Sequence, residues 1–347
     1  DLHLCDRRQR QMCIRDRKRT TTSKERMKQM NTYGFTKKIA LVGTGFVGMS
    51  FAYAMLCESV CDELVLIDVN KQKAEGEAMD LNHGLSFAKT NMKIYAGSYT
   101  DCRDADIVVI CAGVGQKPGE DRLSLLQRNT EVFKTIISPI IYSGFNGIFL
   151  VATNPVDIMT KITWQLSGFD CKKVIGTGTT LDTARLRYLL GDYFNVDPKN
   201  VHAYVIGEHG DSEMVPWSQA FVGTKSIMSI VENNPDRFKL TDLDEIAKDV
   251  TGAAQKIIEA KKATYYGIGM ALVRIVKAIF GDEKSVLTVS SMFRGEYDIN
   301  GVYAGIPSII GRDGVREIVT LDITAEEEKK LKESCELLKN ASEGIKI

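Results

Sequence analysis

From Lys37 onward, short apolar runs alternate with stretches of helical spacing. KKIALVG (37–43) is written as a buried strand running into a Gly-rich turn, and 47–56 as a helix of small and apolar residues. Further strands are predicted at ELVLIDVN (63–70), MKIYAGSY (92–99), DIVVICAG (106–113) and GIFLVATN (147–154), each separated from the next by helical or irregular patterns. Continuous apolar strands with intervening helices describe a parallel sheet with crossover connections. After about residue 176 the pattern changes. A helix at 181–191 leads to a β-rich stretch near 201–206, then to a long amphipathic helix with Leu243, Ile246, Val250, Ile257 and Ile258 at helical spacing. Thr324 and Glu327 form a capping box that opens a last helix, with Leu331, Cys335 and Leu338 on one face. The fold class is therefore α/β: a Rossmann-type doubly wound parallel sheet followed by a C-terminal α+β domain. The expected division is a tail at 1–34, a nucleotide-binding domain at 35–175 and a substrate domain at 176–347.

Composition narrows the function classes. The 347 residues are 44% hydrophobic and 26% charged, ordinary for a globular chain. No window approaches the roughly 18 consecutive apolar residues of a membrane span. Lys and Arg total 45 against 45 Asp and Glu, which argues against a nucleic-acid-coating protein. That balance hides an asymmetry, because residues 1–30 carry ten basic and four acidic side chains, a net of +6, leaving −6 for 31–347. The basic stretch lacks apolar periodicity. It reads as a disordered tail or a mis-assigned start, with Met27 and Met30 available just upstream of the first strand, and is set aside from the fold argument. Eight scattered cysteines form no C-x-x-C pair and no disulfide framework; Cys57 and Cys61 sit one helical turn apart in an apolar helix pattern. Free thiols and no secretory apolar region point to the reducing cytoplasm.

Gly43-Thr44-Gly45-Phe46-Val47-Gly48 is G-x-G-x-x-G. Alone the motif is weak, but here it follows a strand, opens a helix and precedes a second strand ending in Asp68, twenty residues past Gly48. That context is the dinucleotide fingerprint. The glycines let backbone N–H groups approach a pyrophosphate at the helix N-terminus, and Asp68 would accept from the ribose hydroxyls and repel a 2′-phosphate. The cofactor expected is NAD. A Gly-rich turn with a solvated Asp is the plain alternative.

Three segments carry candidate chemistry. GEHGD (207–211) places His209, one of four histidines, in a Gly-flanked polar turn. LDTAR (181–185) sets Asp182 and Arg185 three apart on one helix face. QKPGEDRL (116–123) and ATNPVD (152–157) follow the fourth and fifth strands, at the sheet edge where ligands bind in such folds. Metal chemistry finds no support: there is no H-E-x-x-H and the Cys and His positions lack ligand spacing. A hydrolase using Ser212 or Cys111 would lack a nucleophile elbow.

GTGFVG, LVLID, AGVGQKPGEDRL, VATNP, LDTAR, GEHGDSE and ATYYG occur in the order and rough spacing of the L-lactate/malate dehydrogenase family. The resemblance runs from about Lys37 to the end and is strongest to the fructose 1,6-bisphosphate-activated bacterial L-lactate dehydrogenases. It implies that His209 is the acid/base, that Asp182 orients it, and that Arg185 grips a substrate carboxylate bidentately. It implies that Arg122, on a mobile loop, polarises the reacting carbonyl. By the same resemblance Asn154 lies near the carbonyl and nicotinamide, and Thr264 forms a pocket wall. Malate dehydrogenases place Arg where Gln116 stands here. A neutral Gln would leave a second substrate carboxylate uncompensated, at about several kcal/mol, so pyruvate and L-lactate are the expected substrates. Arg187 and His202 match the effector site for fructose 1,6-bisphosphate; a helix-surface Arg and a packed His are the plain alternative. A homotetramer is implied. A malate or branched-chain 2-hydroxy acid dehydrogenase and a non-catalytic NAD-binding protein are the competing readings.

Overall fold

The computed structural model describes residues 36–115, 122–343 and 345, without the side chains of Arg122 and Leu123. The tail expected at 1–34, and Gln116, lie outside the described residues. The first strand β1 (Lys38–Val42) runs through the Gly-rich turn into helix α1 (Phe46–Glu58); β2 (Glu63–Ile67), α2 (Lys71–Gly84), β3 (Lys93–Ala96) and β4 (Ile107–Ile110) follow. Then come α3 (Arg122–Tyr142), β5 (Ile148–Val151), α4 (Val156–Ser167), β6 (Val174–Gly176) and α5 (Thr180–Phe194). The remainder comprises β7 (Val201–His202), β8 (Phe221–Val222), β9 (Lys225–Ser226), α6 (Ile227–Glu232), α7 (Leu240–Lys261) and α8 (Tyr266–Phe280). The chain closes with β10 (Ser285–Arg294), β11 (Asn300–Gly311), β12 (Gly314–Ile318) and α9 (Ala325–Glu343).

The main sheet runs β12-β11-β10-β6-β5-β4-β1-β2-β3. Its six-strand part, β3-β2-β1-β4-β5-β6, is parallel throughout and has the strand order of a doubly wound dinucleotide fold. Period-two alternation sorts each strand onto two cores. Ala40, Val42, Val108, Ile110, Phe149 and Val151 face α3, α4 and α9, while Ile39, Leu41, Ile107, Val109, Ile148 and Leu150 face α1, α2 and α8. Both faces are buried, which is why these strands read as unbroken apolar runs. A third core joins α5, α7 and the small sheet β7-β8-β9 through Leu186, Leu190, Val205, Leu243 and Val250.

The five expected strands and the C-terminal helix with its Thr324–Glu327 cap are present, the cap made by Glu327 Oε2 accepting the Thr324 N–H at 2.9 Å. Two features differ from expectation. Helix α1 ends at Glu58 on Ser59, which takes a left-handed conformation, so Cys61 lies beyond it, buried beside Met92. The strand β6 and the antiparallel set β10–β12 have no counterpart in the hydrophobic pattern, and β10 joins β6 through Ser290 opposite Gly176. The sheet is thus continuous across residue 175, and residues 37–347 form one compact unit. No helix among the described residues is long and apolar enough to cross a membrane.

Candidate active site

The Gly-rich turn sits at the carboxyl end of β1 and each glycine has its own reason. Gly43 has φ +100°, and a Cβ there would meet the Ala112 backbone nitrogen at 2.5 Å. A Cβ on Gly48 would collide with the Gly43 carbonyl oxygen, so helix and turn could not close as they do. At Gly45 nothing lies within 4 Å, which leaves the backbone open to a ligand at the N-terminus of α1. Asp68, just past β2, accepts from the Thr44 N–H at 2.8 Å, the Thr44 hydroxyl at 2.9 Å and the Asn70 N–H at 2.9 Å. Burial alone would raise the Asp68 carboxyl, but these three donors outweigh it and hold it below the ordinary range. Phe46 is exposed and stacks on Tyr265 with ring centroids 5.3 Å apart; Val47 is half-buried. A dinucleotide fits this cradle.

The second half of the site is a turn at 207–213, pinned at its base by bridges Ile206–Met214 and Gly207–Gly305. Gly207 takes φ +93° and passes close to Ser334 of α9, whose hydroxyl accepts the Glu208 N–H at 2.9 Å. His209 is carried at the tip. Its ring Nδ1 lies 2.6 Å from Asp182 Oδ2, and because a carboxylate only accepts, Nδ1 carries the proton. Nε2 is then the nitrogen left for a ligand. Asp182 belongs to the first turn of α5, where the helix dipole favours an anion, and its side chain is 2% exposed. One turn on, Arg185 donates from an NH group to the other oxygen, Oδ1, at 2.8 Å. Burial opposes a charge on His209, but the Asp182 carboxylate overrides it by charge and hydrogen bond. With smaller help from Asp157 and Glu213, the imidazole rises to about 9.

Two carboxyls in this cluster carry no sequence-based expectation. Asp157, in the first turn of α4, accepts the His209 main-chain N–H at 2.8 Å and the Ser290 hydroxyl at 2.5 Å. Burial pushes it up to about 6 despite those donors. Glu213 brings its carboxyl near the imidazole, so that Asp182, His209 and Glu213 each place a polar atom within 4.8 Å of the others. Both stand inside quoted motifs, ATNPVD and GEHGDSE, yet only the folded chain gives them neighbours.

Asn154 is exposed at the end of β5, next to a cis bond to Pro155, and Thr264 is half-buried between α7 and α8. Among the described residues no hydrogen bond ties either to the His209 cluster. Arg122 opens α3, its side chain outside what is described, as is Gln116. Arg187 donates from Nε to the Ala203 carbonyl at 3.0 Å and lies over the Tyr204 ring, while His202, the residue before Ala203, is exposed.

Comparison with known proteins decides the family. Residues 37–176 match the family model for the lactate/malate dehydrogenase NAD binding domain, and residues 179–346 match that for the lactate/malate dehydrogenase alpha/beta C-terminal domain. The chain belongs to the lactate/malate dehydrogenase family. NAD is therefore its cofactor, in keeping with the open backbone at Gly45. The chain is 55% identical over 302 residues to L-lactate dehydrogenase 2 of Bacillus anthracis, covering 87% of this chain and 96% of that protein. It is 54% identical over 303 residues to the L-lactate dehydrogenase of Geobacillus sp. (strain WCH70), with 87% and 95% covered. Among solved structures, the minor L-lactate dehydrogenase from Enterococcus mundtii in its ligands-bound form superposes with a TM-score of 0.88 at 48% identity, covering 90% of this chain and all of that one. A lactate dehydrogenase from a Medee basin deep-sea metagenome library gives 0.87 at 52% identity, with 89% and 98% covered.

Proposed function

We propose that this member of the lactate/malate dehydrogenase family interconverts pyruvate and L-lactate, with His209 as acid and base. The observation that carries the reading is the His209–Asp182–Arg185 chain, in which both oxygens of one buried carboxylate are engaged, at 2.6 and 2.8 Å. When bound, NAD supplies the acceptor or donor of hydride. The turn 43–48 would hold its pyrophosphate through Gly43, Gly45, Phe46, Val47 and Gly48, and Asp68 its adenosine ribose. His209, held protonated to high pH, gives its Nε2 proton to the ketone oxygen during reduction and takes the hydroxyl proton in reverse. Asp182 stabilises the imidazolium and fixes the ring. Arg185 gives one guanidinium donor to Asp182 and keeps the others for a substrate carboxylate. Arg122 would polarise the carbonyl, Asn154 and Thr264 would line the pocket, and neutral Gln116 would favour the methyl of pyruvate over a second carboxylate.

Four finer readings belong to the same proposal. Exposed Met270 and Val286 beside a cavity of about 400 Å³, together with exposed Tyr188 and Tyr266, support assembly as a homotetramer. Arg187, bonded to the Ala203 carbonyl, and the exposed His202 one residue before it support an effector site for fructose 1,6-bisphosphate. Six free cysteines among the described residues support the cytoplasm. A cofactor part at 35–175 and a substrate part at 176–347 remain the working division.

The experiment is NADH oxidation with pyruvate, oxaloacetate and 2-oxoisocaproate, each with and without fructose 1,6-bisphosphate. A pyruvate preference that sharpens with the effector is expected. An oxaloacetate preference would overturn the Gln116 argument, and no response to the effector would overturn the Arg187/His202 site.

A further inference from the structure

Glu213 has no part in the proton transfer just described, yet three elements converge on it. From α5 the Asp182 carboxylate and the Arg185 guanidinium act on it; from its own turn, His209; from α7, Thr251. The Thr251 hydroxyl donates to Glu213 Oε1 at 3.0 Å. Asp211 and Lys248, of opposite sign, line a cavity of about 580 Å³ together with Glu213 and Thr251. Around the imidazole the formal charge is then simple to count. Arg185 and protonated His209 against ionised Asp182 and Asp157 sum to zero when Glu213 holds a proton, and to −1 when it does not. An anionic 2-oxo or 2-hydroxy acid must settle among these groups in a half-buried site, where one unit of charge is weakly screened.

We infer that Glu213 carries a proton in the substrate-competent enzyme and that its ionisation drives carboxylate substrates from the site. The inference rests on the lactate dehydrogenase reading above. Burial and the Asp182 charge push the Glu213 carboxyl up to about 8, against the Thr251 hydroxyl and the His209 and Arg185 charges. Its effect differs from that of His209. Loss of the His209 proton suits L-lactate, whose hydroxyl needs a base, whereas ionised Glu213 opposes pyruvate and L-lactate alike.

The test is the KM for pyruvate at saturating NADH from pH 6.5 to 9, where His209 keeps its proton, for the wild type, Glu213→Gln and Thr251→Val. The wild-type KM should climb on the order of tenfold per pH unit beyond the ionisation, and the Gln variant should change less than about twofold over the same range. Thr251→Val removes a donor that favours the ionised carboxyl, so the climb should start at higher pH. Parallel curves for wild type and Glu213→Gln would overturn the inference alone. Should the Gln variant fail to fold, an unmoved midpoint in Thr251→Val does the same. No pyruvate turnover by the wild type at any pH overturns the activity reading, and the inference with it.

Discussion

Asp157 accepts the main-chain N–H of His209 across 52 positions of sequence, and its second oxygen takes the hydroxyl of Ser290. One buried carboxyl thereby fixes the catalytic turn to the start of α4 and to the middle of β10. The contact holds backbone, not the imidazole, so it sets where the ring stands and leaves the ring its bond to Asp182.

Asp157→Asn keeps an acceptor for that N–H and removes a charge. Because the folded carboxyl is raised to about 6, the unfolded chain gives up its proton first as pH rises, and the wild type loses stability from the ordinary Asp range up to 6. The variant's melting temperature should therefore gain on the wild type between about pH 4 and 6 and hold that gain above. Its alkaline limit for pyruvate reduction should move to lower pH, since Asp157 helps hold the proton on His209. Profiles of kcat/KM against pH check this; an unmoved limit would refute it.

His209→Asn should lower turnover by about 10²–10⁴-fold, the range of a lost general acid. The pH dependence of folding gives a second readout. The imidazole is raised from 6.5 to about 9, so its contribution is complete below 6.5 and vanishes as pH passes 9. That contribution is up to about 3 kcal/mol. Urea titrations at pH 6 and 9.5 should show the wild-type advantage over the variant at the lower pH only.

Gly45 and Gly48 should separate binding from folding. Gly45 has negative φ and free space, so Gly45→Ala should melt like the wild type yet bind NADH about tenfold or more weakly, by fluorescence titration. Gly48→Ala meets the Gly43 carbonyl and should lose about 1–3 kcal/mol of stability. Equal melting temperatures for the two variants would contradict the packing argument.

Ser334 accepts the Glu208 N–H and lies 2.8 Å from the Ser212 hydroxyl, which itself donates to Glu208. Ser334→Ala leaves a buried N–H without its partner and should cost about 1–3 kcal/mol in denaturant unfolding. Turnover should fall with it, as the His209 turn loosens. Full activity with lowered stability would show that Ser334 supports α9 rather than the turn.

Strands β1, β2, β4 and β5 were legible because both of their faces are apolar. Strands β10 and β11 were not, although equally buried, because their interior is partly polar. Ser290 bonds to Asp157, Ser291 and Ser308 share a hydrogen bond at 3.0 Å, and Thr288 pairs with Thr183. Buried hydroxyls satisfied by one another hide a core strand from any hydrophobic pattern. β6 is three residues long and offers no period to read. In the site, LDTAR and GEHGD exposed Asp182, Arg185 and His209 through local spacing. Asp157, Glu213 and Ser334 act across elements far apart in the chain, and nothing in their own neighbourhoods announces it.

The single pairing of Ser290 with Gly176 makes the two halves of the chain one hydrogen-bonded lattice. A Cβ on Gly176 would press on the Ser290 side chain at 2.7 Å, so the seam accepts no added bulk. A chain cut at this seam would uncover β6, whose Val174 and Ile175 are fully buried, as a raw sheet edge able to recruit strands from other molecules. The C-terminal strands thus also serve as the cover that keeps the nucleotide-binding sheet from aggregating.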